Sequence, residues 1–421
     1  MRAHDIALRL EKKGKKNMLK KLFPMHIVSL FPLLCVMLLS GCGVHTLNAQ
    51  PPGKTHQGEE ALAHPNVANE QIHSWISGMT LEEKVAQLFF VAPEDIITET
   101  KIKAVTQTGD IMKAALDKYP VGGLIFFKQN LTGTQQTKTM LKNMQEYAAR
   151  RRGIPLFLGV DEEGGTIARI ANNPAFNVHK VSPMGKLAHG KYPQAKVLGA
   201  ASQIGAYLKD LGFNVDFAPD ADVITTDKAS RIIGDRAFGR NPQSVTELAR
   251  AYANGLHTHG ILSCYKHFPG HGGVTGDSHK GSVATSRTLE ELLKAELVPF
   301  ADAKNSGIDF VMVGHIEVTK EDRLPATLSK KMIQILRSKL GYQGIIITDA
   351  FNMGAIAKHF PSGEAALKAL EAGCDMVLMP EKFQPAYEAV LQAAKSGKLS
   401  EKRIDESLRR IFRAKQKLLA G

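Results

Sequence analysis

The residues best suited to do chemistry lie in one glycine-rich stretch in the second half of the chain. It reads Lys266-His-Phe-Pro-Gly-His-Gly-Gly-Val-Thr-Gly-Asp-Ser-His279, and its four glycines and its proline predict a loop. In an extended loop, Asp277 and His279 project to the same side. The carboxylate then hydrogen-bonds one imidazole nitrogen and leaves the other free to transfer a proton. The competing interpretation is an ordinary solvated Asp and His.

A second candidate is Asp349, which follows three consecutive isoleucines in Ile345-Ile-Ile-Thr-Asp349. A carboxylate that ends a buried strand is partly desolvated and rigidly aimed, as a nucleophile or an electrostatic stabiliser must be. Asp is also a common helix N-cap, so a helix that starts near Asn352 gives a structural alternative.

These residues belong to a repeating pattern of apolar runs and helical segments from Gln71 onward. The predicted strands are 87–91, 121–127, 155–161, 213–223, 261–268, 308–315, 344–349 and 375–379. Near-continuous apolar strands separated by helices indicate a parallel sheet covered on both faces. Eight such units predict an α/β fold, a single (β/α)₈ TIM-type barrel, with a doubly wound open sheet as the alternative.

Polar residues fall at the predicted C-terminal ends of five neighbouring strands, where the active sites of such barrels lie. They are Asp161, Asp222, Lys266 with His267, His315 and Asp349. The sequence therefore predicts one active site built from these strand ends.

Helix starts are indicated by three capping-box patterns, in which a hydroxyl and a carboxylate satisfy free N–H groups. They are Thr80-Leu-Glu-Glu83, Ser244-Val-Thr-Glu247 and Thr288-Leu-Glu-Glu291. The last predicted helix places Ile404, Leu408, Ile411 and Leu418 on one face.

The charge is concentrated at the N-terminus. The chain of 421 residues has 54 Lys+Arg against 41 Asp+Glu, a net charge of +13, and 43% hydrophobic residues exclude a disordered chain. Residues 1–41 hold eight basic and two acidic residues, so they contribute +6 and leave +7 for the rest. No patterned basic-aromatic surface accompanies that remainder, which argues against nucleic acid as a partner.

A basic run followed by an apolar stretch at 22–39 is typical of a signal peptide. Leu39-Ser-Gly-Cys42 resembles the bacterial lipobox, in which the cysteine becomes the lipidated N-terminus after cleavage. We therefore predict a signal peptide at 1–41, lipidation of Cys42, a flexible tether at 42–70 and the barrel at 71–421. An uncleaved anchor helix is the alternative, and Met18 would be a more typical signal start than Met1.

The two remaining cysteines outside this N-terminal region are Cys264 and Cys374, both in strand-like apolar runs. This placement predicts two buried thiols, with a disulfide as the alternative in an oxidising compartment. No paired-cysteine zinc spacing is present.

Several motifs together resemble the bacterial β-N-acetylhexosaminidases of glycoside hydrolase family 3, from about Met79 to the end of the chain. They are Lys266-His-Phe-Pro-Gly-His-Gly272, Asp277-Ser-His279, Val160-Asp-Glu-Glu-Gly-Gly165, Ile233-Gly-Asp-Arg-Ala-Phe238 and Thr348-Asp-Ala350. The resemblance implies one barrel that carries its own acid/base group, without the C-terminal domain of many relatives. We also expect a monomer that needs no cofactor or metal.

The resemblance implies a role for each matching residue. Asp349 would be the nucleophile of a retaining double displacement, and His279, polarised by Asp277, the acid/base. The implied sugar contacts are Asp161, Arg169, Arg236, Lys266 and His267. Arg169 and Arg236 have structural ion pairing as their alternative. Where relatives commonly have histidine or glutamine, this chain has Glu162, which we expect to add negative charge beside the sugar.

The function expected from the resemblance is an exo-acting β-N-acetylglucosaminidase, lipid-anchored to the membrane of a bacterial cell envelope on its periplasmic or extracellular face. Its carbohydrate substrates would be GlcNAc-containing peptidoglycan fragments or chitooligosaccharides. Three alternatives remain at this point. They are a β-glycoside phosphorylase or β-glucosidase of the same family, a metal-dependent hydrolase with His267, His271, His315 and Asp349 as ligands, and a non-catalytic sugar-binding lipoprotein.

Overall fold

Eight short parallel strands follow one another around a barrel in this computed structural model, which describes residues 65–98, 102–274, 276, 278 and 281–419. The strands are β1 (Phe89–Val91), β2 (Gly123–Ile125), β3 (Phe157–Val160), β4 (Val215–Asp216), β5 (Leu262–Phe268), β6 (Phe310–Val313), β7 (Ile345–Thr348) and β8 (Val377–Leu378). The predicted signal peptide, Cys42, most of the predicted tether, Asp277 and His279 lie outside the described residues.

The strand order closes the barrel. Each strand pairs in parallel with its sequence neighbour from β1 to β7. Strand β8 pairs with β1 through Phe89 and Val377 and meets β7 through a bridge between Ile347 and Met376. All eight predicted strands and the (β/α)₈ barrel are confirmed, and the doubly wound open sheet is wrong.

Aromatic side chains fill part of the barrel interior. The rings of Phe90 and Phe157 stack with their centroids 6.2 Å apart, and Phe157 contacts Phe310 edge-on at 5.3 Å. Large apolar residues at inward-facing strand positions make a barrel a packed core rather than a pore. Cys264 and Cys374 are free and fully buried, so the prediction of buried thiols is confirmed and the disulfide alternative is wrong.

The helices surround this core. They are α1 (Pro65–Ser77), α2 (Leu81–Ala86), α3 (Asp110–Lys118), α4 (Thr134–Arg152), α5 (Met184–Leu187), α6 (Pro193–Leu211), α7 (Asp227–Ile233), α8 (Pro242–His257), α9 (Leu289–Lys294), α10 (Val298–Asp302), α11 (Lys330–Gln334), α12 (Gly354–Ala357), α13 (Ser362–Ala372), α14 (Phe383–Lys395) and α15 (Glu401–Lys417). Helix α11 continues into a π-helical turn at Ile335–Lys339.

Two of the three predicted capping boxes are present, at Thr80 before α2 and at Thr288 before α9. The third prediction is wrong, because α8 begins earlier than expected. Asn241 caps that helix by accepting a hydrogen bond from the Ser244 N–H at 2.9 Å, and proline occupies its first turn.

Helix α15 lies across the base of the barrel, the end at which the strands begin. Lys415 Nζ donates to Gln87 Oε1 at 2.8 Å, just before β1. Arg410 and Lys417 bind Asp375 and Asp309, which precede β8 and β6. Because parallel strands all begin at one end of a barrel, these contacts close that end with a single helix.

Helix α1 packs onto α15 and differs from the predicted tether. Trp75 contacts Phe412 edge-on with ring centroids 5.5 Å apart, Ile72 is buried one turn before it, and the adjacent Ile76 is buried as well. This helical spacing of apolar residues explains why residues 65–70, expected to be flexible, belong to the helix that starts at Pro65. Among the described residues, no helix is long and apolar enough to cross a bilayer.

Candidate active site

A pocket of about 220 Å³ opens at the C-terminal ends of the strands. It brings together six residues that the sequence predicts for the site: Asp161, Arg169, Arg236, Lys266, His267 and Asp349. Apolar side chains, including Ile125, Met312 and Leu378, line the same pocket. A concave apolar surface with a few convergent polar groups is typical of a small-molecule site.

Buried ion pairs form one wall of the pocket. Lys266 Nζ lies 2.9 Å from Asp161 Oδ1 and 2.6 Å from Glu163 Oε1. Arg236 binds Glu163 through two hydrogen bonds of 2.8 and 2.9 Å and lies 3.4 Å from Asp220 Oδ2. Paired, geometrically matched charges of this kind are the arrangement in which burial is tolerated.

These pairs fix the charge states. Burial alone would raise the pKa of Glu163, but the adjacent Arg236 and Lys266 outweigh it and hold that pKa well below its usual range. Burial would lower the pKa of Lys266, yet the carboxylates of Asp161 and Glu163 raise it. The wall therefore carries ionised groups that can bind sugar hydroxyls by charge-assisted hydrogen bonds.

Glu163 is a pocket residue that the sequence reasoning did not assign. It stands two positions after Asp161 in an extended segment, and alternate residues of such a segment share one face. That spacing was visible in the sequence and could have identified it.

The expectation for Glu162 is wrong. Its carboxylate is fully buried and turned away from the pocket, and it accepts hydrogen bonds from the N–H groups of Ile170 and Ala171 at 2.8 and 2.9 Å. Tyr207 donates to it at 2.8 Å. Burial raises the pKa of Glu162. The side chain fixes the hairpin of Glu162–Gly164 and Ile167–Ala168 and adds no charge beside the ligand.

Arg236 and Arg169 differ in how fully their guanidinium groups are paired with carboxylates. Arg236 is a structural ion-pair residue and also lines the pocket. The Arg169 guanidinium lies 3.8 Å from Asp161 Oδ2 and 6.0 Å from the Phe127 ring centroid. Its buried Nε has no hydrogen-bond partner among the described residues. Arg169 therefore keeps donor capacity that a ligand could use.

Asp349 follows β7 and is anchored through its backbone. Its N–H donates to Val313 O at 2.8 Å, and its Oδ1 accepts from the Ala350 N–H at 2.8 Å. It is not a helix cap, because α12 begins at Gly354 after Met353. Burial acts to raise the pKa of Asp349, but interactions with the His315 and His267 side chains and the hydrogen bond from the Ala350 N–H lower it below its usual value. The carboxylate is therefore ionised.

His267 faces Asp349 across the pocket in its neutral form. Its Nδ1 lies 2.8 Å from Asp222 Oδ2, so Nδ1–H donates to that carboxylate and Nε2 is left as an acceptor. Burial and the charge of Arg236 lower the pKa of His267 to about 4. Asp222, named in the sequence only as a strand-end residue, thus sets the tautomer of a pocket histidine.

The hydrogen bonds of the histidines disfavour the metal-site alternative. His315 Nε2 lies 2.9 Å from Ala350 O, and since a carbonyl only accepts, this nitrogen carries its proton and cannot bind a metal. His315 Nδ1 is 3.1 Å from Thr327 Oγ1. Within the described residues, Asp220, Asp222 and His267 place ligand-type atoms within 4.8 Å, but Asp222 and His267 already hydrogen-bond each other there.

The glycine-rich loop after β5 is held from behind by Glu296. Thr225 links the two, because its N–H donates to Gly272 O at 2.9 Å and its hydroxyl to Glu296 Oε1 at 2.8 Å. A Cβ on Gly272 would collide with the Val223 carbonyl, and one on Gly270, whose φ is +125°, with Glu296. Only glycine therefore allows this loop to lie so close to its support.

Ser278, which stands between Asp277 and His279 in the sequence, is anchored to two sides of the site. Its Oγ is 3.4 Å from His271 Nε2, and its carbonyl accepts from the Ala355 N–H at 3.2 Å. The loop after β5 is thereby tied to the segment that follows Asp349.

Fold and site together define a barrel enzyme with an ionised carboxylate in a pocket suited to a hydroxyl-rich ligand. The chain belongs to glycosyl hydrolase family 3, since residues 80–414 match the model of the glycosyl hydrolase family 3 N-terminal domain. The resemblance seen in the sequence is confirmed, and the chain is a glycoside hydrolase.

Relatives support this membership. The chain is 33% identical over 343 residues to beta-hexosaminidase A of Pseudoalteromonas piscicida, an alignment that covers 75% of this chain and 56% of that relative. It is 34% identical over 332 residues to beta-hexosaminidase LpqI of Mycobacterium tuberculosis, covering 76% and 82%. The solved structure of a family 3 beta-N-acetylglucosaminidase from a Paenibacillus species superposes with a TM-score of 0.74 at 33% identity, covering 82% of this chain and 63% of that one.

His267 gives a prediction for the pH dependence of stability. Its pKa is about 4 in the folded protein, against about 6.5 for a free histidine. A lowered pKa of a base means that protons bind preferentially to the unfolded chain. This contribution is therefore fully present above pH ~6.5 and is lost as the pH falls towards ~4, by about 3 kcal/mol of unfolding free energy.

Denaturant titrations at pH 7 and at pH 4.5 check this expectation. His267→Asn should show a smaller loss of unfolding free energy between the two pH values than the wild-type protein. The matched control is His189→Asn, a change at an exposed histidine, which should leave the pH dependence unaltered. Equal pH dependence in the His267 variant and the wild type would contradict the assigned charge state.

Glu296→Ala should loosen the loop after β5 and lower kcat by about 10- to 100-fold, because misplacing catalytic groups by an ångström is costly. Burial raises the pKa of Glu296, so the uncharged isostere Glu296→Gln should keep most of the activity. Steady-state kinetics on a soluble aryl glycoside measure both. Glu290→Ala, a change at an exposed residue of α9, is the control. If Glu296→Gln lowered kcat as much as Glu296→Ala, the side chain would need its negative charge, and packing against the loop would not explain its role.

Proposed function

We propose that the protein is a retaining exo-β-N-acetylhexosaminidase that removes terminal β-linked N-acetylglucosamine. The single observation that carries this proposal is the pairing of an ionised Asp349 with the buried charged wall of Lys266, Glu163 and Arg236 in one pocket. The names of its relatives, beta-hexosaminidase and beta-N-acetylglucosaminidase, supply the sugar class. Peptidoglycan fragments and chitooligosaccharides are the proposed substrates.

The size of the pocket supports exo action. At about 220 Å³ it is smaller than the roughly 300–1,000 Å³ of pockets that hold drug-sized ligands. A space of this kind suits one terminal sugar ring better than an internal stretch of a glycan chain. Ile232 is 37% exposed and lies beside the pocket, where it offers an apolar surface to the leaving group of the glycoside.

The proposed reaction begins with attack of Asp349 on the anomeric carbon, with His279 giving its proton to the leaving oxygen. A covalent glycosyl-enzyme results, and neutral His279 then removes a proton from the water that hydrolyses it. The net configuration is retained because the anomeric carbon inverts twice. Asp277 favours the protonated form of His279 in the first step. A histidine here replaces one of the two carboxylates usual in glycosidases.

The other pocket residues are proposed to hold the sugar. Asp161 accepts hydrogen bonds from two neighbouring hydroxyls, while Lys266 and the arginines donate to sugar oxygens. Neutral His267 offers Nε2 as an acceptor to a further hydroxyl. Because Lys266, Arg236 and His267 are each fixed by a carboxylate behind them, the ring is positioned with little reorganisation.

Release of 4-nitrophenol from its β-GlcNAc and β-glucose glycosides tests both the substrate and the mechanism. The wild type should prefer the GlcNAc glycoside, and Asp349→Ala should lower kcat by at least about 1,000-fold, since it removes the nucleophile. His279→Ala should be less impaired on this good leaving group than on chitobiose, which needs the proton. Proton NMR should show the β-anomer of GlcNAc as the first product.

Three results would contradict the proposal. They are unchanged GlcNAc cleavage in Asp349→Ala, a preference for the glucoside, and α-GlcNAc as the first product. Asp235→Ala is a matched control, because Asp235 is a carboxylate of the neighbouring Gly234–Arg236 turn that does not line the pocket.

We further propose that the mature protein starts at Cys42 and is held by lipid on a bacterial envelope membrane. The basic run, the apolar stretch and Leu39-Ser-Gly-Cys42 support this proposal.

Metabolic labelling with an alkyne fatty acid in a bacterial host tests the anchor. The wild-type chain should become labelled and fractionate with membranes, whereas Cys42→Ala should stay unlabelled and keep its apolar segment uncleaved. Cys264→Ala is the control and should be labelled as the wild type is. Labelling of the Cys42 variant would overturn the assignment.

A further inference from the structure

The outer face of α15 carries a stripe of exposed basic residues at the base of the barrel. Lys402, Arg409 and Arg413 are exposed, and their spacing of seven and four residues places them on one side of the helix. The opposite side packs against the barrel through Ile404, Leu408 and other buried residues. We call Lys402, Arg409 and Arg413 the basic stripe.

The basic stripe has little local neutralisation. Neither Arg409 nor Arg413 forms an ion pair among the residues that the structure describes. The nearby carboxylates of Glu401 and Asp405 bind Lys84 at 2.6 and 2.9 Å. The half-buried Glu406 and Asp405, which precedes Arg409 by four residues, are the acidic residues of α15 near the stripe, and Asp405 is already paired with Lys84.

The macrodipole of α15 does not explain the stripe. Basic residues are stabilising in the last turn of a helix, and the effect fades within that turn. Helix α15 ends at Lys417, so Lys415 and Lys417 fit this explanation. Lys402 lies in the first turn, where a positive charge is unfavourable, and Arg409 lies two turns before the end.

A groove lies between α1 and the basic stripe. It has a volume of about 310 Å³. Arg409, Arg413 and Asp405 of α15 line one side, Asn69 and His73 of α1 line the other, and Lys84, which binds Asp405, lies beside them. Such a groove offers directed donors to a phosphate group, and paired arginines bind phosphate oxygens well.

The chain itself enters the barrel at this base. Ala68 O, in the first turn of α1, accepts a hydrogen bond from Gln416 Nε2 at 2.7 Å, close to the end of α15 that binds Asp309. The pocket with Asp349 opens at the opposite end of the strands. The described part of the chain therefore starts at the base and not at the pocket rim.

We propose that the base of the barrel is a docking surface for an anionic phospholipid bilayer, with lipid phosphates bound between Arg409 and Arg413. Positive charge at this end meets the negative surface potential of such a membrane. The protein is then oriented with its pocket directed away from the bilayer, towards glycans. This inference goes beyond the glycosidase function, and neither depends on the other.

Sedimentation with lipid vesicles tests the proposal. The protein used is residues 43–421, the proposed mature chain without the lipid-bearing Cys42. It should bind vesicles with about one third phosphatidylglycerol and fail to bind pure phosphatidylcholine. Each basic residue near an anionic surface contributes about fivefold, so Arg409→Gln with Arg413→Gln should weaken binding by about 30-fold.

The control is Lys191→Gln with Lys196→Gln, an exposed pair at the start of α6 that changes the net charge equally. It should bind as the wild type does. Equal weakening in both double variants, or equal binding to both kinds of vesicle, would overturn the proposal. Hydrolysis of the soluble aryl glycoside is measured on the same samples, so a folding defect or a failure of the proposed enzymatic function is seen separately.

Discussion

Two cations, the buried Lys266 and the half-buried Arg236, line the pocket wall, and their neutralisation constrains the whole site. Lys266 is 3% exposed, so its charge is stable only beside carboxylates at hydrogen-bond distance. Those carboxylates come from a different strand end, because Asp161 and Glu163 follow β3 whereas Lys266 belongs to β5. The parallel order of β3, β4 and β5 brings them together, with β4 between them. A shift in the register of these strands would separate the paired charges.

The same constraint separates neighbouring carboxyl groups into different roles. Glu162 and Glu163 are adjacent in sequence and equally buried, yet their pKa values move in opposite directions. Glu163 faces two cations and is ionised, while Glu162 faces backbone N–H groups and a tyrosine and serves the hairpin. Burial and the charge of Asp222 raise the pKa of Asp220 to about 7, so it is a poor source of fixed negative charge. Environment, not residue type, selects the functional acids.

The sequence predicted what depends on local pattern. Near-continuous apolar strands and capping boxes are short-range signals, and the strand-end position of Asp349 follows from them. The direction of Glu162 was not predictable in that way, because alternation in a hairpin and a partner 45 residues away, Tyr207, decide it. Glu296 gave no signal at all, since its contacts to Thr225 and Gly270 exist only after the loops after β4 and β5 meet.

The predicted boundary between the tether and the barrel domain differs from the structure for a related reason. Residues 65–70 are polar and look flexible in isolation, and they become helical because the turn that follows buries Ile72 and Trp75 on α15. Since α15 is the last helix of the chain, this contact joins the two ends of the domain, and no local window of sequence contains it. Tertiary burial therefore overrides a weak local preference.

Ion pairs serve different purposes at the two ends of the barrel: they stabilise the fold at the base and line the pocket at the opposite end. At the base, Asp375 and Asp309 bind Arg337, Arg410 and Lys417, and these pairs hold helices against strand starts. At the opposite end, Lys266 and Arg236 are also paired, but their partners leave one side open to the pocket. An ion pair that is surrounded by protein only holds structural elements together. An ion pair that borders the pocket also directs N–H donors towards a ligand. Because the ion pairs at the base already stabilise the barrel, the charged groups at the pocket end can keep some hydrogen-bonding capacity free. Recognition of a hydroxyl-rich ring requires that free capacity.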